Sequence, residues 1–279
     1  MSAFFRVSLS FITIFVLLLT STQAQLKYPQ VSPGAKATQT VGITDITISY
    51  HRPGVKGRVI WGGLVPYNEI WRTGANEATM IEFSGDVSIA GTKVPAGKYS
   101  LFTIPAQEEW TVVINKNPNG WGAYGYKQDE DLLRFKVKPE MAEHQEWMMF
   151  TFENLSKNGV DLILRWEKVK VTIPISVNSD ELVLKGAKAD LGWRPAYQAA
   201  SYCLDNNVSV EDGKKWNDQS LAVEQNYWNL TLKARYLALD KNFKEATKTM
   251  QKALDLGQKM ENKPMNYADM EKLMQEWKK

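Results

Sequence analysis

The sequence predicts two unlike parts in series: an all-β antiparallel sandwich (or barrel-like) domain, then a small all-α helical-repeat domain. Three observations carry this. Apolar and polar residues alternate with period two in short runs from Ala37 to Val177, the signature of half-buried strands. Gly, Pro and Asn turn signals separate the runs and no helical stretch interrupts them, which argues against a parallel α/β sheet. Beyond Trp193 the pattern instead repeats itself at an offset of 33 to 34 residues, the length of a helical-hairpin repeat.

In chain order, Arg6, the apolar run Val7–Leu19 and the small-residue ending Thr22-Gln23-Ala24 read as a secretory signal peptide over 1–24, cleaved near Ala24. Residues 25–36, with two prolines and a glycine, read as an exposed lead-in. The β domain is expected over 37–177. Thr44–Ser49 is its first clear strand, with Ile46 and Ile48 on one face. Ile81-x-Phe83 and Val87-x-Ile89 follow, and Ala90-Gly91 suits a tight hairpin. Tyr99-x-Leu101-x-Thr103 and Trp110-x-Val112-x-Ile114 flank a turn at Pro105. Leu133-x-Phe135-x-Val137 alternates with Arg134, Lys136 and Lys138, so one face is wet. Residues 147–152 are apolar at nearly every position and predict a strand buried on both sides. Leu162–Trp166 and Val169–Ile175 complete nine or ten strands, the count of a sandwich or barrel.

Residues 178–192 read as a linker. Two tetratricopeptide-like helical hairpins are expected over 193–260 and a terminal helix over 261–279. Ser209-x-x-Asp212 and Asn242-x-x-Glu245 mark starts of the second helix of each hairpin, and Asn266 opens the last helix after Pro264. So short a stack is marginal alone and should dock on the β domain.

Composition excludes several classes. Arg6 is the sole charge in 1–24, so 33 of the 34 Lys+Arg remain against 31 Asp+Glu. That near-balance gives no case for nucleic acid or an anionic membrane surface. No stretch after the leader is long and apolar enough to span a bilayer. Cys203 is the one cysteine, so the chain has no intramolecular disulfide, and it reads as a buried thiol within a helix. Gly120-Trp121-Gly122-Ala123-Tyr124-Gly125 spells G-x-G-x-x-G but lacks the strand before and helix after that a dinucleotide site requires. It reads as a glycine-and-aromatic loop. His51 and His144 have no second histidine or cysteine at ligand spacing, and Gln128–Asp131 lacks EF-hand spacing, so no metal and no cofactor are expected. There is no G-x-S-x-G elbow.

The stretch Tyr50–Thr79, YHRPGVKGRVIWGGLVPYNEIWRTGANEAT, joins two strands. Long loops in compact domains tend to carry function. Its candidate ligand-binding residues are His51, Arg52, Arg58, Trp71, Arg72, Asn76 and Glu77. Arginine forks suit carboxylates and other anions, and tryptophan supplies a flat apolar wall. His51 and Glu77 could act as base and orienter if folding brings them together. A structural role competes: the arginines would bond loop carbonyls and pair with Glu69 and Glu77, while Trp61 and Trp71 plug the end of the sandwich.

This stretch, with VPAGKYSLFTIP, EWTVVINK and WGAYGY, resembles the exported bacterial proteins filed as domain of unknown function 2911. The likeness spans about residues 28–177, and the RP…GR…LVPY…WRTGAN string is its most specific part. The helical tail is similar, more loosely, to the tetratricopeptide-like tail that often follows that domain. The resemblance implies export, bacterial origin and a β-sandwich, and brings no catalytic residues with it.

The function expected is a non-catalytic ligand-binding or interaction module, periplasmic or secreted. Residues 50–79, with Trp121–Tyr126, would form the ligand face, and a glycan, peptide or protein of the cell envelope would be the partner. The alternatives are a hydrolase of envelope material at the same loop, for which a close His51–Glu77 approach in an open cleft would speak, and a purely structural envelope protein.

Overall fold

A computed structural model describes residues 29–187 and 192–279; the leader expected over 1–24 and part of the expected linker lie outside these. Two antiparallel sheets are followed by six helices. The larger sheet has strand order β1-β2-β3-β6-β7-β8, built from β1 (Gly34–Val41), β2 (Thr44–His51), β3 (Met80–Phe83), β6 (Gly97–Ile104), β7 (Trp110–Asn115) and β8 (Asp131–Val137). The smaller has order β5-β4-β10-β9, from β4 (Val87–Ile89), β5 (Thr92–Val94), β9 (Glu140–Glu153) and β10 (Gly159–Ser176). The sheets do not close into a barrel, so the sandwich alternative is the one realised.

Alternation decides which residues meet between the sheets. Ile46, Ile48 and Tyr50 of β2 join Ile81, Phe83, Leu101, Val112 and Ile114 in one core with Met148, Phe150, Leu162, Leu164 and Ile173 of the smaller sheet. The odd-numbered residues of β2 therefore face outward. A direct bond also ties the sheets: the Tyr50 hydroxyl accepts from Phe150 N–H at 2.9 Å, and the rings meet edge-on at 4.9 Å. At the β4–β5 hairpin, Ala90 (φ 48°) and Gly91 (φ 80°) are both left-handed, the pairing a two-residue turn of the favoured twist requires.

Three local expectations need correction. The lead-in is already strand from Gly34, because β1 is an edge strand whose inward residues are mostly small or polar and give little apolar signal. Strand β9 is buried on one face only: Met148 and Phe150 point inward, while Trp147 is 37% exposed, because among the described residues no layer of strands or helices covers the outer side of this edge. The stretch read as a linker contains helix α1 (Ser179–Ala187).

The tail forms helices α2 (Trp193–Asn206), α3 (Val210–Val223), α4 (Tyr227–Leu239), α5 (Phe243–Gln258) and α6 (Tyr267–Trp277). Ser209 is the N-cap of α3, but it sits at φ 44° and makes no capping bond. Asn242 caps α5 by accepting from Glu245 N–H. The full capping box belongs to α4, where Asn226 and Asn229 cap each other's backbone. The α2–α3 and α4–α5 pairs bury Ala200, Leu232 and Tyr236 in one cluster and Tyr227, Ala234, Met250 and Leu254 in another. One contact with the sandwich is made by Lys157, in the β9–β10 turn, which donates to Asp180 of α1 (3.2 Å) and Asn206 of α2 (3.0 Å) and lies over the Tyr202 ring.

Tyr50→Phe leaves a buried Phe150 N–H without its acceptor, so it should cost about 1–2 kcal/mol in equilibrium denaturation, with the transition remaining cooperative.

Candidate functional site

The 50–79 stretch is a bracket between the two sheets. Leaving β2, it pairs with the edge of β9, where Val55 N–H donates to Glu146 O (2.8 Å) and Met148 N–H to Pro53 O (3.0 Å). A compact turn follows, closed by Gly62 N–H on Val65 O (2.8 Å) and Val65 N–H on Ile60 O (2.9 Å). Gly63 is obligatory there, since a Cβ would lie 2.5 Å from Val59 O. The chain then crosses back to the larger sheet, where Trp71 exchanges both backbone bonds with Thr103 (2.7 and 2.9 Å).

What holds the bracket is a cluster of four tryptophans. Trp61 and Trp71 come from the bracket, Trp110 from β7 and Trp166 from β10. Trp61 meets Trp110 at 4.8 Å and Trp71 at 5.7 Å edge-on, and Trp71 stacks on Trp166 at 5.9 Å. Trp166 sits at a bulge, with Glu167 left-handed at φ 54°. Such rings each remove a large apolar area from water, and their edge-to-face contacts add to it.

The arginines do not converge. Arg52 donates to the carbonyls of Met148 (2.8 Å) and Trp147 (3.4 Å), and Arg58 to those of Gly54 (2.6 Å) and Val55 (3.1 Å). Both are structural clamps on bracket and edge. Among the described residues neither pairs with Glu69 or Glu77. Trp71 is 8% exposed and its indole N–H is held by Gly74 O, so it offers no wall to a ligand. Arg72 turns the other way, onto the outer face. Its Nε is sealed from solvent with no hydrogen-bond partner, and burial lowers its pKa from the usual arginine value, opposed by the nearby Tyr124 hydroxyl.

His51 and Glu77 do meet, at 3.1 Å between Nδ1 and Oε2. The run 73–79 makes this possible by doubling back tightly. Thr73 (φ 54°) and Asn76 (φ 57°) are both left-handed, which costs a non-glycine residue on the order of 1 kcal/mol each. Their conformations are enforced by Thr79 Oγ1 donating to Thr73 O (2.7 Å), Thr73 Oγ1 meeting Thr103 Oγ1 (3.1 Å), and Asn76 O accepting from Gly122 N–H (3.2 Å). The Asn76 side chain reaches Ser32 O at 3.4 Å.

A pocket of about 480 Å³ opens beside the pair, lined by Gly34, Lys36, Ser49, His51, Glu77 and Pro118 among others. It lies on the outer face of the larger sheet, and the strand register explains it. Lys36, Ser49, Met80, Ser100, Asn115 and Asp131 are successive cross-strand partners, forming a row across all six strands. On the β6–β8 side this row anchors the 116–127 loop: Ser100 Oγ donates to Asn117 O (2.7 Å), Asn115 Nδ2 to Lys127 O (3.1 Å) and to Asp131 (2.9 Å), and the Tyr126 hydroxyl to Asp131 (2.7 Å). On the β1–β3 side none of the described loops roofs the row, and the loop edge at Pro118 becomes the pocket wall. Sequence reading missed Gly34, Lys36, Ser49, Met80 and Pro118. Only the period-two parity of β2, which puts Ser49 and His51 on one face, could have pointed to any of them.

Glu77 lies on the Nδ1 side of His51, and Nε2 is the ring atom nearest Gly34, where a Cβ would meet it at an ordinary contact distance of 3.5 Å. The pair can orient a hydrogen bond to a polar ligand or to water.

Residues 32–175 match the family described as Protein of unknown function (DUF2911), and the chain belongs to it. No curated protein and no solved structure matches the chain.

Asn76→Val, β-branched at a left-handed position, should destabilise by about 1–2 kcal/mol, whereas Asn76→Gly should stay close to wild type in thermal denaturation.

Proposed function

We propose that this member of the DUF2911 family is an exported, non-catalytic binding module that holds a small polar ligand of the cell envelope, a glycan or peptide, in the outer-face pocket. The observation that carries this reading is the His51–Glu77 contact of 3.1 Å at the rim of an open pocket of about 480 Å³. That volume is within the range of small-molecule sites. Two left-handed residues support it, since backbone strain of this kind concentrates where a site must be held in shape. Export rests on the leader-like residues 1–24. The helical hairpins, read as a tetratricopeptide-like stack, would engage a peptide or protein partner, and the pocket would be the small-ligand end of the molecule.

A second reading is favoured by one specific feature of the same pair. Glu77 holds the Nδ1 side of His51, which leaves Nε2 free to take a proton from water, the arrangement of a general base with its orienter. In that case the pocket would hydrolyse envelope material.

Titrating peptidoglycan fragments and envelope oligosaccharides against the protein separates these readings. Under the binding reading His51→Ala and Glu77→Gln each weaken binding about tenfold, or ~1.4 kcal/mol, with no change in the melting transition and no product formed by wild type. Product release that disappears in His51→Ala supports hydrolysis instead. Loss of melting temperature with no binding by wild type leaves a structural protein and sinks both.

A further inference from the structure

The outer face carries a second feature that the pocket does not use. The pairing of Trp71 with Thr103 sets Trp71 inward, so Arg72 emerges beside Phe102 on the outer face. Phe102 there packs with Ala78 and Val113, joined by Ile70, Ala123 and Tyr126, and the Tyr126 ring meets it edge-on at 5.2 Å. Arg72 thus projects from an apolar patch. Among the described residues no carboxylate pairs with it and no group accepts from its guanidinium, whereas Arg165, for example, is paired with Glu153 at 2.8 Å.

Leaving a half-buried guanidinium without a counter-charge is unfavourable for folding. The two other arginines of the bracket show that backbone carbonyls can satisfy such a group. Arg72 has neither kind of partner, while the loop next to it exposes two large rings, Trp121 at 61% and Tyr124 at 92%. Gly122, left-handed at φ 63°, makes that presentation possible: the Tyr124 ring lies where a Cβ would be, 3.0 Å away. Backbone bonds pin the loop to the bracket, Gly122 N–H to Asn76 O at 3.2 Å and Ala78 N–H to Gly120 O at 3.0 Å.

We infer that Arg72, Trp121 and Tyr124 form a recognition site for a carboxylate carried on a flat ring. Arg72 supplies the forked donor, and the two exposed aromatics supply faces on which the ring lies. A single cation matches a singly charged carboxylate better than a phosphate, which draws several positive groups. The ring is either aromatic or a sugar, as in a uronic acid, since both present an apolar face to tryptophan or tyrosine. The site adjoins the His51–Glu77 pocket, since Trp121 forms a β-bridge with Glu77, but the pocket's lining does not include Arg72, Trp121 or Tyr124, and the inference does not depend on the function proposed for that pocket.

Calorimetric titration of the purified protein with benzoate, glucuronate, their neutral counterparts benzyl alcohol and glucose, and inorganic phosphate tests it. At least one carboxylate should bind saturably with a Kd of about 1 mM or tighter, and its neutral counterpart at least about tenfold more weakly. Which carboxylate binds better identifies the ring. Tyr124→Ala, at a fully solvated ring, should weaken binding about fivefold without altering the fold, and Arg72→Lys should lose most of it by removing the fork. Arg72→Met should abolish binding while melting at or above the wild-type temperature, because it removes an uncompensated charge. The inference is overturned if neither carboxylate binds, if phosphate or the neutral compounds bind as well, or if Tyr124→Ala and Arg72→Lys bind like wild type. A lowered melting temperature for Arg72→Met would overturn it too, by making the arginine a structural element.

Discussion

The contact on which the rest of this structure depends is the four-tryptophan cluster. Trp110 belongs to the larger sheet and Trp166 to the smaller, and neither sheet alone could place them together. Trp61 and Trp71 of the bracket fill the space between. Burying these rings, with the backbone bonds to both sheets, helps to offset the entropy lost in ordering a long segment without regular structure. Without the cluster the bracket would be a long loop with no reason to hold one shape.

Once Trp71 is fixed, the residues around it follow by parity and geometry. Its inward orientation sends Arg72 outward. The same anchoring forces residues 73–79 to turn back sharply, which requires the left-handed Thr73 and Asn76 and carries Glu77 to His51. Arg52 and Arg58, charged residues that invite a functional reading, belong to the anchoring instead. Arg52 donates to carbonyls of the β9 edge and Arg58 to carbonyls of the bracket itself.

The outer face of the larger sheet carries a row that is polar except at Met80, partly roofed by the 116–127 loop. Buried Ser100 and Asn115 hold that roof, which ends at Pro118. The uncovered end of the row is the pocket, and the exposed rings of the roof adjoin Arg72. Two different surfaces thus arise from one loop meeting one bracket: a pocket bordered by the His51–Glu77 pair, and a cationic patch flanked by aromatic rings.

Alternation over Thr44–Ile175 determined the sandwich, because period-two patterning is a local property of each strand, and the 33-to-34-residue spacing determined the helical hairpins in the same way. The family membership, too, was legible in the RP…GR…LVPY…WRTGAN string. Edge strands were harder: β1 offers almost no apolar residues to alternate, and β9 looks buried on both faces because Trp147 and Met149 are apolar yet face outward. The bracket marked the right region, and His51 and Glu77 were among its candidates. Composition could not separate them from Arg52, Arg58 and Trp71, because an arginine or tryptophan in a loop reads alike whether it meets a carbonyl, a core or solvent. That choice belongs to tertiary structure. It depends on which sheet edge the loop meets and which face each side chain takes there, and those contacts join residues up to about a hundred positions apart, as Tyr50 and Phe150 are.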